Sequence, residues 1–154
     1  ATELPPDFHS LRIYRSKKGI LVRDGHPVIE AYEKAGVMTW ELLNRWPAVC
    51  VTAGMKDGGA KSVEGRRVGV VLPYFLTVPY VVARTDFTFE GPLITLRRFM
   101  MDSQFQFRIL PMPEESGPFE PRLVWHHCSH TDPFLQWVRG SWWMLQEARR
   151  GSWA

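Results

Sequence analysis

A strand that ends at a proline and is followed by helical spacing is the most constraining feature of this chain. Residues 67–72 read RVGVVL, an apolar run of strand length, and Pro73 ends it. The apolar residues that follow recur at helical spacing, and Pro79 is compatible with a helix only if that helix begins near Val78. A strand followed by a helix is the repeating unit of α/β proteins.

The rest of the chain continues this alternation. Asp132-Pro133 predicts the start of a helix that runs to about Arg150, because Asp is a good N-cap and Pro fits the first helical position. Thr39 is the expected N-cap of a short helix over 39–45. The pattern also predicts a mobile loop or crossover over 54–65 and a helix opening at 97–102. Strands are predicted at 11–14 and 19–22, paired as an antiparallel hairpin, and at 48–53, 93–96, 105–110 and 122–128. Together these segments predict an α/β fold with short parallel strands.

Composition excludes several classes of protein. Hydrophobic residues make up 45% and charged residues 23% of the 154 positions, which is average globular usage and argues against a disordered chain. No apolar run reaches the roughly 18 residues that a membrane span needs, and the opening residues lack the pattern of a signal peptide. The net charge of +3 comes from scattered basic residues, which does not predict a dedicated nucleic-acid module.

Two cysteines and a histidine cluster are the residues that could carry chemistry. Cys50 and Cys128 are too few for a disulfide framework, and their apolar contexts predict buried thiols in a cytosolic protein. The run at 126–130 reads HHCSH, but no second Cys or His pair lies at a spacing suited to zinc. We therefore expect strand-end and loop histidines, no metal, no cofactor and no catalytic nucleophile. No recognised catalytic or phosphate-binding motif occurs, so we expect no enzyme.

The residues after Pro73 are the best candidates for a ligand site. A helix that begins there would present free backbone N–H groups, with Tyr74 and Phe75 as apolar walls and Thr77 as a hydroxyl. That combination suits a small aromatic or carboxylate ligand. The alternative is that the two aromatic rings only cap the hydrophobic core.

Three segments, in order, carry a resemblance to a known family. The first reads LRIYRSKKGILVRDGHPVI, the second LTVPYVVARTD followed by LITLRRF, and the third FRILPMPEESGPFEPRLVWHHCSHTDPFLQWVRG. They resemble the effector-binding domain of LysR-type transcriptional regulators, in the branch related to nodulation and aromatic-catabolism regulators. The matching residues are Leu11, Val22, Arg23, His26, Pro27, Pro111, Pro113, Phe119, Leu123, Trp125, His126, Asp132, Pro133 and Trp137.

The resemblance implies a periplasmic-binding-protein-like α/β fold of two Rossmann-like lobes joined at a hinge. Residues 1–22 and 122–150 would form part of an incomplete first lobe, and 23–121 the second lobe with crossover segments, within one effector-binding domain over 1–154. It implies a small-molecule effector in the cleft between the lobes. Tyr74, Phe75 and Thr77 are the expected contacts, with Thr52 and His126 added for their position near the crossover.

The resemblance also implies partners. The regulator would act in the bacterial cytoplasm as a dimer or tetramer, away from any membrane. It would bind DNA through an N-terminal winged helix-turn-helix that this chain lacks. A second hypothesis is a stand-alone, truncated ligand-binding or interaction domain that pairs with a regulator and does not itself bind DNA. The identity of the effector and the target promoters stay open.

Overall fold

The computed structural model describes residues 4–52, 65–102, 104–114 and 116–150, with 142–150 as backbone only. The chain divides into two compact units. The first unit joins Ala1–Arg15 to Glu120–Ala154, and the second unit is Ser16–Phe119.

Seven strands and five helices are present in the described residues. The strands are β1 (Phe8–Arg12), β2 (Lys18–Arg23), β3 (Ala48–Val51), β4 (Val68–Leu72), β5 (Phe89–Pro92), β6 (Phe107–Pro111) and β7 (Arg122–His126). The helices are α1 (Pro27–Ala35), α2 (Trp40–Leu43), α3 (Val78–Val82), α4 (Leu93–Asp102) and α5 (Pro133–Arg150), with 3-10 turns at Phe75–Thr77 and His127–Ser129.

The sheet of the second unit combines antiparallel and parallel pairing. β2 lies between β5 and β6 and is antiparallel to both, whereas β3 and β4 are parallel. Thr88 joins the two sets of strands: its carbonyl accepts from Val49 N at 2.8 Å and its N–H donates to Pro47 O at 2.9 Å. The prediction of parallel strands is therefore right for β3 and β4 and wrong for β2, β5 and β6.

Alternation along β2 divides the core of the second unit into two layers. Successive strand residues point to opposite faces of a sheet. Leu21 accordingly packs on one face with residues of α3 and α4, including Val78 and Leu96. Ile20 packs on the other face with residues of α1 and α2. The buried cluster on that face also contains Val22, Val28, Met38, Leu42, Leu43 and Leu110. The second unit is thus a sheet with helices on both faces.

The helix starts predicted from caps are confirmed. Thr39 Oγ1 accepts from Leu42 N at 3.1 Å, and Asp132 Oδ1 accepts from Leu135 N at 2.9 Å. Pro79 lies in the first turn of α3, where backbone N–H groups have no acceptor within the helix, so proline costs no hydrogen bond there. These are local interactions, which is why residue type and spacing reveal them.

The sequence pattern does not predict helix α1, because the residue that caps it is an unusual one. Buried His26 is the N-cap, and its Nδ1 accepts from Val28 N at 3.0 Å. Because Nδ1 accepts, the ring proton of the neutral imidazole lies on Nε2. Burial lowers the pKa of His26, and the nearby Asp86 opposes that shift, so the neutral form is favoured at neutral pH.

Two predicted strand features are wrong. The hairpin between 11–14 and 19–22 does not form, because β1 pairs with β7 while β2 pairs with β5 and β6. Residues 93–96 start α4 instead of forming a strand, and Leu96 and Phe99 bury one face of that helix. A short apolar run does not distinguish a strand from a buried helical turn.

The first unit contains an antiparallel ribbon and helix α5. β1 and β7 pair from Phe8 opposite His126 to Arg12 opposite Arg122. Every residue of this unit whose side chain is described is at least partly exposed. Cys128 is exposed, so its predicted burial is wrong; it lies in the 3-10 turn after β7 rather than in a core strand. Cys50 is buried, as predicted.

A cluster of rings covers one face of this ribbon. His9 Nε2 and His127 Nδ1 are 3.0 Å apart, and His9 stacks on His130 with ring centroids at 4.2 Å. Trp125 stacks on His9, and the Arg139 guanidinium lies 4.8 Å from the Trp125 ring centroid. Because no described side chain of this unit is buried, the stacking of these rings is a main source of stability for the ribbon.

Within the described residues, no helix is both long enough and apolar enough to cross a bilayer. Apart from Gly65, the predicted loop at 54–65 lies outside the described residues. The same holds for the side chains of Trp142, Trp143 and Trp153.

Candidate ligand-binding site

A cavity of about 250 Å³ lies within the second unit, where β3 and β5 separate. The two strands run parallel at the Ala48–Thr88 bridge, and then each pairs with a different neighbour, β3 with β4 and β5 with β2. The lining residues are Lys18, Ala48, Val49, Cys50, Val51, Phe75, Phe89, Glu90, Gly91, Pro92 and Phe119. Gaps between diverging strands of an α/β sheet are a common position for ligands.

Backbone polar groups border this gap. Val49 N–H points toward β5, since it donates to Thr88 O. Alternation along a strand places the N–H of Val51 on the same side of β3, and the N–H of Glu90 on the side of β5 that faces β3. The cavity therefore offers backbone hydrogen-bond donors between apolar walls.

Aromatic rings form much of the apolar wall. Phe75 and Phe89 meet edge to face, with ring centroids 5.6 Å apart. Phe89 is buried, whereas Phe75 is 40% exposed and is the more accessible of the two. A flat ring entering the cavity would contact Phe75 and displace water from it.

Two residues with charged side chains, Lys18 and Glu90, line the cavity. Glu90 forms an ion pair with Arg66, whose side chain is 1% exposed. Arg66 Nε lies 2.6 Å from Glu90 Oε1. Arg66 also donates from Nη1 to Asn44 Oδ1 at 2.9 Å and from Nη2 to Thr88 Oγ1 at 2.6 Å. Burial lowers the pKa of Arg66, and the neighbouring Glu90 carboxylate opposes that shift.

The structure places one of the predicted contact residues, Phe75, in the cavity wall. Tyr74 is 70% exposed just before the 3-10 turn, and Thr77 Oγ1 donates to Tyr74 O at 2.7 Å. Thr52 follows β3, and its backbone N–H donates to Leu72 O at 3.1 Å. His126 lies in the first unit, where its Nδ1 accepts from Cys128 N at 3.2 Å. Ligand contacts by all five residues remain predictions.

Sequence reasoning missed Lys18, Glu90 and Phe89 as lining residues. Glu90 is the one residue with a visible signal, since it is an acid between apolar residues and glycine in the run FEGP. Its buried partner Arg66 is distant along the chain, and no local pattern connects the two. In the part of the chain that the structure describes, no three His, Cys, Asp or Glu side chains are arranged to hold a metal ion.

Comparison with known proteins identifies relatives among transcriptional regulators. No family model matches the chain. The HTH-type transcriptional regulator SyrM 1 of Sinorhizobium fredii (strain NBRC 101917 / NGR234) is 26% identical over 145 residues, which cover 89% of this chain and 40% of that regulator. The chain thus spans less than half the length of this curated relative.

Solved structures show the same fold. The regulatory domain of MetR, a LysR family regulator from N. meningitidis, aligns with a TM-score of 0.71 at 10% identity, covering 96% of this chain and 69% of that one. The effector binding domain of QuiR in complex with shikimate gives 0.67 at 11% identity over 96% and 69%. The BenM effector binding domain with benzoate gives 0.57 at 12% over 82% and 58%. This chain therefore has the periplasmic-binding-protein-like α/β fold of LysR-type effector-binding domains, and the resemblance predicted from its sequence is confirmed.

Proposed function

We propose that this chain is the effector-sensing domain of a LysR-type transcriptional regulator, and that it binds a small molecule in the cavity between β3 and β5. The observation that carries the proposal is the cavity itself, which combines an accessible aromatic wall with backbone N–H groups and Lys18. Two proteins of the same fold have structures with a small carboxylate, shikimate or benzoate. A volume of about 250 Å³ suits a molecule with a single ring.

Signalling in this proposal is a shift between arrangements of the domain. A ligand shifts such an equilibrium only to the extent that it binds one arrangement better than the other. Tyr74, Thr77, Thr52 and His126 are proposed as further ligand contacts in the arrangement that binds more tightly. The regulators among the relatives support a role in sensing rather than catalysis.

The proposal extends to partners. We infer that DNA binding belongs to a part of the regulator outside these residues, since SyrM 1 is much longer than the matched region. The whole regulator would work in the cytoplasm as a dimer or tetramer. A stand-alone domain that pairs with a regulator is the alternative, and the intact mass of the native protein distinguishes the two. A mass near 17.8 kDa would favour the alternative.

Phe75→Ala tests the cavity as the binding site. Shikimate and benzoate are first screened by thermal shift on the 154-residue chain, and calorimetry then measures the affinity of the better ligand. We expect Phe75→Ala to weaken binding about five- to tenfold, which corresponds to about 1 kcal/mol of lost apolar contact. Leu76→Ala is the matched control, because Leu76 is 78% exposed and does not line the cavity. Unchanged affinity in Phe75→Ala would remove this cavity from the proposal.

A further inference from the structure

We infer that the cavity selects small carboxylic acids that also carry a hydroxyl or amino group, and that Glu90 is the specificity-determining residue that accepts a hydrogen bond from this group. The inference rests on the proposed function and refines it by naming the class of ligand.

Glu90 is fixed as a charged acceptor at the cavity wall. Its Oε1 is buried against Arg66 Nε at 2.6 Å, while 19% of the side chain stays accessible. An ionised carboxylate has only acceptor sites. A ligand that displaces water from Glu90 without replacing the lost hydrogen bond therefore leaves a partly buried charge without its solvent, which is costly.

Arg66 does not replace the hydrogen bond that Glu90 loses on the cavity side when water is displaced. Arg66 is not among the residues that line the cavity, and its Nη1 and Nη2 donate to Asn44 and Thr88, away from it. Arg66 is a positioning residue, which fixes the Glu90 carboxylate before a ligand arrives. Preorganisation of this kind lowers the ordering cost of binding.

Lys18 supplies the complementary charge on the neighbouring strand. The register pairs Lys18 with Pro92 and Ile20 with Glu90, so Lys18 and Glu90 are diagonal neighbours on one face of the sheet. The Cα atoms of such diagonal pairs are about 7 Å apart. A ring that bears a carboxylate at one end and a hydroxyl or amino group at the other could reach both side chains.

A matched series of ligands tests the inference on the unmodified chain. The series is benzoate, 4-methylbenzoate, 4-hydroxybenzoate and 4-aminobenzoate, in which the methyl group has nearly the size of the hydroxyl but cannot donate. We expect the hydroxy and amino compounds to bind at least tenfold more tightly than 4-methylbenzoate. Equal affinity across the series would overturn the inference and leave the proposed function standing. If no member binds, both fail for this ligand class.

Variants then assign the preference to Glu90. Glu90→Gln should reduce the hydroxy-to-methyl preference to less than threefold, while Glu33→Gln, an exposed acid on α1, should leave it unchanged. Since Glu90→Gln leaves Arg66 buried without its counter-charge, the double variant Arg66→Met/Glu90→Gln removes both charges together. A tenfold preference that persists in a folded variant lacking the Glu90 charge would overturn the assignment.

Discussion

The two units of this chain are stabilised in different ways. In the second unit the central strand β2 is buried on both faces, with Ile20, Leu21 and Val22 fully inaccessible. In the first unit every described side chain has some exposure, and the β1–β7 ribbon is supported by stacked rings and hydrogen bonds. A two-stranded ribbon by itself has marginal stability in water. The difference indicates that the second unit provides most of the stability seen in the described residues.

Leucine truncation should give the largest contrast between the units. Leu21→Ala should lower the free energy of unfolding by about 2–5 kcal/mol, because it leaves a cavity in a fully buried layer. Leu11→Ala on β1, where the side chain is 41% exposed, should cost less than about 1 kcal/mol. Urea unfolding of both variants measures the contrast, and equal losses would contradict it.

Arg139→Ala should give an intermediate effect confined to the first unit. Arg139 lies over Trp125 and donates from Nη2 to His130 O at 2.8 Å and from Nη1 to Ser129 O at 3.3 Å. Loss of these contacts should cost about 1 kcal/mol, seen as roughly fivefold faster amide exchange in β7. Arg98→Ala on α4, where the side chain is 64% exposed, is the control. Equally fast exchange in both variants would show that Arg139 does not hold the ribbon.

Histidine titration should give the smallest effect and should also separate the units. Burial lowers the pKa of His26, and partial burial with His130, His127 and Arg139 nearby lowers the pKa of His9. Between the folded pKa and the unfolded value of about 6.5, the unfolded chain binds more protons. The free energy of unfolding should therefore fall as the pH is lowered from 7 through this window.

Two asparagine variants assign this pH dependence. His26→Asn keeps a residue able to cap α1 but removes the titrating group, so it should flatten most of the pH dependence of unfolding. His9→Asn should flatten it less, because His9 is exposed enough for solvent to stabilise its charge. Urea unfolding at pH 5, 6 and 7 provides the measurement. A larger change in His9→Asn than in His26→Asn would reverse the ranking.

Features that depend on residues close together in the sequence were predicted correctly, whereas features that depend on residues far apart were not. The caps by Thr39 and Asp132 act within three residues, and both helices were predicted. The predicted hairpin failed because the partners of β2 lie far along the chain, at β5 and β6. α1 was missed because His26 is not among the usual capping residues.

The same limit applies to the candidate site. Phe75 was predicted from an aromatic pair after a strand, which is a local pattern, and it lines the cavity. Glu90 and Arg66 meet only because β5 passes the end of β3, and no spacing in the sequence encodes that approach. Family resemblance gave the correct fold because it draws on all three segments at once.

Each unit contains one thiol, and the rate at which a reagent modifies that thiol reports how accessible the unit is. Cys128 is exposed in the first unit, whereas Cys50 is buried in the cavity wall of the second. A thiol reagent should modify Cys128 at once and reach Cys50 only when β3 is transiently uncovered. The slow phase of labelling would then time openings of the second unit, and an occupied cavity would lengthen it.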